Sequence, residues 1–259
     1  MPFKTIAVSA DGARGDIELD RADKLNPLGT ETLRELAQAA AWLDEQPQVK
    51  VVIVSGRGRA FCAGADVAAF ADAAEQGAAA MRAAADAGRL MAEAISAMGA
   101  ITIARVHGHC VGGGVVLAAA CDLRVAAAGT RFSIPEVDLG IPLAWGGIQR
   151  LVREIGPAMT KELVLTCRPF DAAEARAIGF VNRVVDEAEL DDAIDVLAGE
   201  LATKSSLTLR ATKLAVTAAA EELVSTGSAW SDADALLSAV ADPESRAAGQ
   251  AYLQRLSLR

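Results

Sequence analysis

Apolar and polar positions along the chain fall into two regimes. Up to about residue 146, short apolar runs alternate with glycine-bearing loops and helical stretches. Beyond it the periodicity is almost wholly helical. Residues 5–9 and 16–19 read as two short strands around the turn Asp11-Gly12. Leu33, Leu36, Ala37, Ala40 and Leu43 recur at helical spacing and predict a helix over 31–43, with Thr30 as its N-cap. The β-branched run 50–55 is continuous rather than alternating, which marks a strand buried on both faces. An alanine-rich helix is predicted over 71–98, a second buried strand over 101–106, a helix over 115–121 and a third strand over 123–127. Strand, loop and helix in repetition imply right-handed crossovers and a largely parallel sheet, hence an α/β fold. After Gly146, helices are expected over 147–154, 157–166, 172–177, 187–203, 206–222, 224–238 and 243–256, with one strand at 181–185. A composition shift near residue 200 divides the expected organisation into a core over 1–200 and a helical region over 201–259 that packs on the core or on a neighbouring subunit.

Charge and composition narrow the picture. The 259 residues are 52% hydrophobic and 23% charged, far from the disordered class. Lys plus Arg is 25 and Asp plus Glu is 34, a net charge of −9, so no wide basic field for a nucleic-acid backbone can form. Cys62, Cys110, Cys121 and Cys167 form no CxxC pair, and their spacing with His107 and His109 fits no usual zinc site. Reduced thiols in a cytoplasmic protein are expected. Met1-Pro2-Phe3-Lys4 has no apolar run behind a basic start, and the apolar stretch 115–121 is too short to span a bilayer, so neither a secretory signal nor a membrane partner is expected.

Two glycine-bearing loops follow buried strands: Phe61-Cys62-Ala63-Gly64-Ala65-Asp66 and Val111-Gly112-Gly113-Gly114-Val115. Loops at strand C-termini are where open parallel sheets bind ligands. Glycine admits close backbone approach, and a helix start adds partial positive charge. Two N–H groups aimed at one point would form an oxyanion hole. Either loop could equally be only a tight helix start. Neither is GxGxxG, and there is no GxxxxGK[ST] or GxSxG, so dinucleotide, P-loop and serine-hydrolase readings fail. Glu136, among apolar neighbours, is the candidate acid or base; a structural helix-start glutamate is the alternative. Trp145 is a pocket wall or core packing, and Lys24, Arg57 and Arg59 are the basic residues placed to face an anion or merely solvated.

The ordered set of motifs resembles the crotonase superfamily, the enoyl-CoA hydratase/isomerase family. It comprises Arg21-Ala22-Asp23-Lys24-Leu25-Asn26-Pro27-Leu28, then Gly58-Arg59-Ala60-Phe61-Cys62-Ala63-Gly64-Ala65-Asp66, then Arg105-Val106-His107-Gly108-His109-Cys110-Val111-Gly112-Gly113-Gly114. Ala120-Cys121-Asp122-Leu123, Phe132-Ser133-Ile134-Pro135-Glu136 and Gly146-Gly147-Ile148-Gln149-Arg150-Leu151 follow. Each motif is weak alone; their order and spacing over residues 20–250 are specific. The resemblance implies a ClpP/crotonase-like ββα spiral core, C-terminal helices that build trimers or dimers of trimers, and a coenzyme A thioester as substrate, with no metal and no other cofactor. It places the oxyanion hole on the N–H groups of Ala65 and Gly113. Substrate contacts fall on Lys24, Ala63, Gly64, Asp66, Val67, Gly112, Val116 and Trp145.

One departure bears on the reaction. Family hydratases carry two glutamates; the second falls on Glu136, the first on Val116, which cannot transfer a proton. Loss of one acid–base partner typically costs about 10²–10⁴-fold. Moving a double bond needs one carboxylate, and isomerases of the family keep only the later glutamate. The dienoyl isomerase aspartate falls on Ala144, against that variant. Enoyl-CoA isomerisation by Glu136 is therefore favoured. A hydratase with Asp138 or a His109-held water in place of the missing glutamate, and a non-catalytic acyl-CoA binder, are the alternatives.

Overall fold

The computed structural model describes residues 3–257. A hairpin opens the chain: β1 (Ile6–Asp11) and β2 (Arg14–Leu19) pair antiparallel through a turn in which Gly12 takes φ +55°. A 3-10 turn (Ala22–Lys24) leads to α1 (Thr30–Asp44), and β3 (Val51–Gly56) follows. Next come α2 (Val67–Glu75), α3 (Ala78–Ala97), β4 (Ile101–Val106), β5 (His109–Val111), α4 (Gly113–Ala120), β6 (Leu123–Ala127) and β7 (Arg131–Ser133). The remainder is α5 (Gly147–Thr166), β8 (Phe170–Asp171), α6 (Ala172–Ala177), β9 (Arg183–Val185), α7 (Leu190–Ala202), α8 (Ser206–Leu223), α9 (Asp232–Ala241) and α10 (Pro243–Ser257).

The main sheet runs β1-β2-β3-β4-β6-β9, parallel throughout except at the β1–β2 hairpin. Strand periodicity splits its core in two. Val52 and Val54 of β3, with Ala104 and Val106 of β4, face Leu33 and Leu36 of α1, Met91 and Ile95 of α3, and all of α4. Val51, Ile53 and Ile103 face the other way, onto Leu190, Ile194 and Leu197 of α7. That two-sided cover is why β3 reads as an unbroken β-branched run. A small sheet, β5-β7-β8, stands beside the main one. Arg124, 2% exposed, ties the layers: its guanidinium donates to the carbonyls of Cys121 and Phe180 and pairs with Glu154 of α5. Lys213 does the same for α8, donating to the Ala100 carbonyl and pairing with Asp122.

Several expectations are corrected. The N-cap position of α1 is Gly29, in extended backbone, and Thr30 is already helical. The alanine-rich stretch is two helices, because Gly77 takes φ +104° between α2 and α3. The helices expected over 147–154 and 157–166 are present as expected: α5 is two helices joined at a break at Gly156 (φ +76°, ψ +163°), after which Pro157 restarts the helix where its missing N–H costs nothing. The helix expected over 224–238 is a 3-10 turn (Gly227–Ser231) followed by α9. Strands β5, β7 and β8 are additions to the expected elements; they are three, three and two residues long, too short for a pattern. Among the described residues, no helix is long and apolar enough to cross a membrane.

Candidate active site

The first loop leaves β3 and folds back over it. Asn26, 1% exposed, fixes that reversal: its side-chain amide donates to the carbonyls of Arg57 and Ala60, each at 2.9 Å. The Ala63 N–H donates to Leu25 (2.8 Å), the Leu28 N–H to Gly64 (2.8 Å) and the Asp66 N–H to Leu28 (3.1 Å). Leu28 thus brackets Ala65 in a parallel bridge. The Ala65 N–H is left without a hydrogen-bond partner among the described residues.

The second loop is zipped to the first. The Cys62 N–H donates to the His109 carbonyl and the Cys62 carbonyl accepts from the Val111 N–H, both at 3.0 Å, so that the backbones at Cys62 and Cys110 form a parallel β-bridge. Gly112 donates to Ser133 (2.9 Å) and takes φ +49°, ψ −112°, a conformation open to glycine. Its carbonyl accepts from Val115 and Val116 as α4 begins. Gly113 is the first residue of α4, so its N–H is among those a helix start leaves unbonded. The two loops touch: a Cβ on Gly64 would stand 3.0 Å from the Val111 carbonyl oxygen, and one on Gly114 would stand 2.8 Å from Cys62 Cβ. The buried Cys62 thiol lies in this seam and accepts the Gly64 N–H at 3.3 Å.

Glu136 closes the site from the turn after β7. The turn is held by Ile141 N–H donating to the Glu136 carbonyl (2.9 Å). The Glu136 side chain reaches Gly112, where a Cβ would stand 2.3 Å from Oε1. The residue is 9% exposed, and Oε2 has no hydrogen-bond partner among the described residues. Burial, opposed only by its own backbone N–H, raises the Glu136 pKa from 4.5 to about 7. A carboxyl so poised exchanges protons readily near neutrality.

The other expected site residues fall into place unevenly. Gly112 abuts the Glu136 carboxyl and Gly64 abuts Val111, the residue before Gly112, while Ala63 and Ala65 lie on the same loop as Gly64 and Gly113 follows Gly112. Trp145, 5% exposed, packs on Gly113: a Cβ there would stand 2.4 Å from the indole. Val116 is 1% exposed and packed on Gly147, whose Cβ position lies 2.8 Å from Val116 Cγ2. Lys24 is exposed on the turn whose next residue, Leu25, accepts from Ala63. Asp66 turns inward: its carboxylate pairs with Arg21 at 2.9 Å, and its N–H and C=O bond Leu28 and Phe70. These contacts hold the loop in place. Val67 opens α2, and its side chain lies outside the described residues.

Arg57 does not face a free anion; it pairs with Glu18 and Asp20. His107 and His109 do not share a face, because Gly108 (φ +59°) turns the chain between them. His107 is buried between the Gly58 carbonyl (2.7 Å) and Arg105 (3.0 Å), and burial lowers its pKa; His109 is exposed. Asp138 is exposed too, unlike Glu136 two residues before it. Among the described residues no group of three His, Cys, Asp or Glu side chains could hold a metal ion.

Sequence reasoning missed Phe70 and Gly88, which seat Trp145. Phe70 stacks on the indole at 6.3 Å between centroids, and a Cβ on Gly88 would stand 2.1 Å from it. A glycine inside an alanine-rich helix costs about 1 kcal/mol against alanine, and that anomaly was the available signal.

Comparison with known proteins agrees with this arrangement. A family model described as Enoyl-CoA hydratase/isomerase matches residues 12–258. A probable enoyl-CoA hydratase of Mycobacterium bovis is 38% identical over 227 residues, covering 88% of this chain and 86% of the relative. A peroxisomal Delta(3,5)-Delta(2,4)-dienoyl-CoA isomerase of Arabidopsis thaliana is 33% identical over 238 residues, covering 87% and 86%. The crystal structure of an enoyl-CoA hydratase from Bacillus anthracis superimposes with a TM-score of 0.79 at 30% identity, covering 97% of each chain. With its parallel sheet, zipped glycine loops and buried glutamate, the chain belongs to the enoyl-CoA hydratase/isomerase family and has the crotonase fold.

Proposed function

We propose that this enzyme moves the double bond of an enoyl-CoA thioester, with Glu136 as the proton carrier. The Ala65 and Gly113 N–H groups hold the thioester oxygen and stabilise the enolate. Glu136 takes a proton from C2 and returns it at C4, ending in the state in which it began. The CoA moiety runs along the Lys24 turn and the Ala63–Asp66 loop, and needs no metal or redox cofactor.

The observation that carries this reading is the pairing of Glu136 with Val116. The first is a buried carboxyl poised near neutrality; the second is a buried apolar side chain packed against Gly147. Hydration requires a second group to activate water, and valine offers none. The hydratase names of several relatives favour a second reading, in which another group supplies that function. Asp138 and His109 were the candidates, and both are exposed, which counts against them.

Offering the protein 2-enoyl-CoA and 3-enoyl-CoA separately tests the proposal. Conversion of the 3-enoyl ester, lost in Glu136→Gln, supports isomerisation. Hydration of the 2-enoyl ester far above the Glu136→Gln control supports the hydratase. Tight binding without either reaction leaves an acyl-CoA binder.

The exposed apolar residues Leu207, Leu214, Val216 and Leu223 on α8 support a homotrimer or dimer of trimers in which α8 meets a neighbouring copy. Sedimentation of the purified protein tests it. The free, buried thiols of Cys62, Cys110 and Cys121 support a reducing compartment such as the cytoplasm.

A further inference from the structure

The surroundings of Trp145 bear on which acyl group the site accepts. Two consecutive residues at the start of α4 carry the two sides of the site. The Cβ direction of Gly112 points at the Glu136 carboxyl, and that of Gly113 points at the benzo edge of Trp145, 2.4 Å from Cζ3 and 3.0 Å from Cη2. An acyl group whose carbonyl is held at Gly113 N–H and whose C2 lies at Glu136 therefore extends beside the indole.

The indole has little room to recede. Behind it stands the backbone of α3 at Gly88, so close that a Cβ would lie 2.1 Å from Cδ2 and Cε2. Phe70 of α2 stacks on it with the rings 27° apart. The backbone that carries it is also fixed. Trp145 takes φ +64°, rare for a bulky residue, and Gly146 follows at φ +69°. The buried Arg150 donates to the carbonyls of both, each at 3.3 Å, and Asp232 of α9 accepts the Gly146 N–H at 2.8 Å. A strained conformation persists only where its surroundings over-determine it, and such residues cluster at functional sites.

Resting on the proposed acyl-CoA function, we infer that Trp145 is the end wall of the acyl site and restricts the enzyme to short acyl chains. Gly88 is its seat: any side chain there would displace the indole. The wall is rigid because it abuts a helix backbone and not a flexible side chain.

The test is the chain-length profile of kcat/KM for the reacting enoyl-CoA ester, from about four to about twelve carbons, in the wild type, Trp145→Ala and the milder Trp145→Phe. Pocket contacts of this kind discriminate by about tenfold or more per ill-fitting group. The short ester is therefore expected to exceed the long one by at least about tenfold in the wild type. Trp145→Ala should narrow or reverse that ratio through gains with the long ester, and Trp145→Phe should fall between. Equal use of short and long esters by the wild type overturns the inference even if the alanine variant fails to fold. A folded variant with an unchanged ratio does so too. If the wild type turns over no enoyl-CoA of any length, the isomerase and hydratase readings fail, and the inference with them, whereas a catalysed but length-independent reaction overturns the inference alone.

Discussion

Among the buried charged side chains, Arg124 and Glu136 carry opposite charges and are treated in opposite ways. Arg124 is 2% exposed and surrounded by acceptors: the Cys121 and Phe180 carbonyls and the Glu154 carboxylate. Glu136 is 9% exposed, pairs with no cation among the described residues, and keeps one oxygen unbonded. A buried charge with all its partners present is a structural tie. A buried carboxyl without them is held at the edge of ionisation, where it destabilises the fold whenever it is charged. The first arrangement fixes β6 against α5; the second keeps a proton exchangeable.

The sharpest way to break this contrast is Glu136→Gln. Turnover should fall by about 10²–10⁴-fold, with affinity for a CoA ester nearly intact, measured by steady-state kinetics and calorimetry. Stability should move the other way. The native Glu136 pKa, about 7, lies above its ordinary value of 4.5, so the stability linked to its protonation is full below about pH 4.5 and is lost as pH rises through 7. Denaturant melts should show the glutamine variant gaining on the wild type above neutrality, by up to the order of 3 kcal/mol. Activity of the wild type should climb through the same interval, since the base must be ionised to take a proton.

Arg124→Met should do the reverse. It leaves Glu154 half-buried without its cation, at a cost of about 3–5 kcal/mol in stability, while kcat/KM per folded molecule stays unchanged. A loss of catalysis without a loss of stability would erase the distinction between the two regions.

Gly112→Ala sharpens the comparison from the backbone side. It places a methyl 2.3 Å from Glu136 Oε1 at φ +49°. Strain of about 1–3 kcal/mol is expected in the melt, together with a fall in kcat as the carboxyl is pushed aside. Arg57→Ala should do least. Its ion pairs with Glu18 and Asp20 are surface ones, and both stability, within about 0.5 kcal/mol, and CoA-ester affinity should hold.

Much of the fold was legible because its signals are local. The run 101–106 became β4 and 123–127 became β6 without adjustment, since parallel strands buried on both faces announce themselves by composition. Strands β5 and β8 were not legible, because their pairing with β7 is set by distant partners. The site divides similarly. Glu136 and the two glycine loops stood out by residue type and spacing. The exposure of His109 and the pairing of Arg57 did not, since one depends on a turn at Gly108 and the other on carboxylates presented by and just beyond β2.

The sequence by itself determined the helix and strand periods, the family motifs and the absence of a glutamate at Val116, because each is a matter of residue type in order. Only the tertiary structure decided that the Glu136 carboxyl would be buried against Gly112 and that Trp145 would be wedged between Gly88 and Gly113. Burial and close approach are properties of segments brought together from far along the chain, and no local pattern encodes the distance between them.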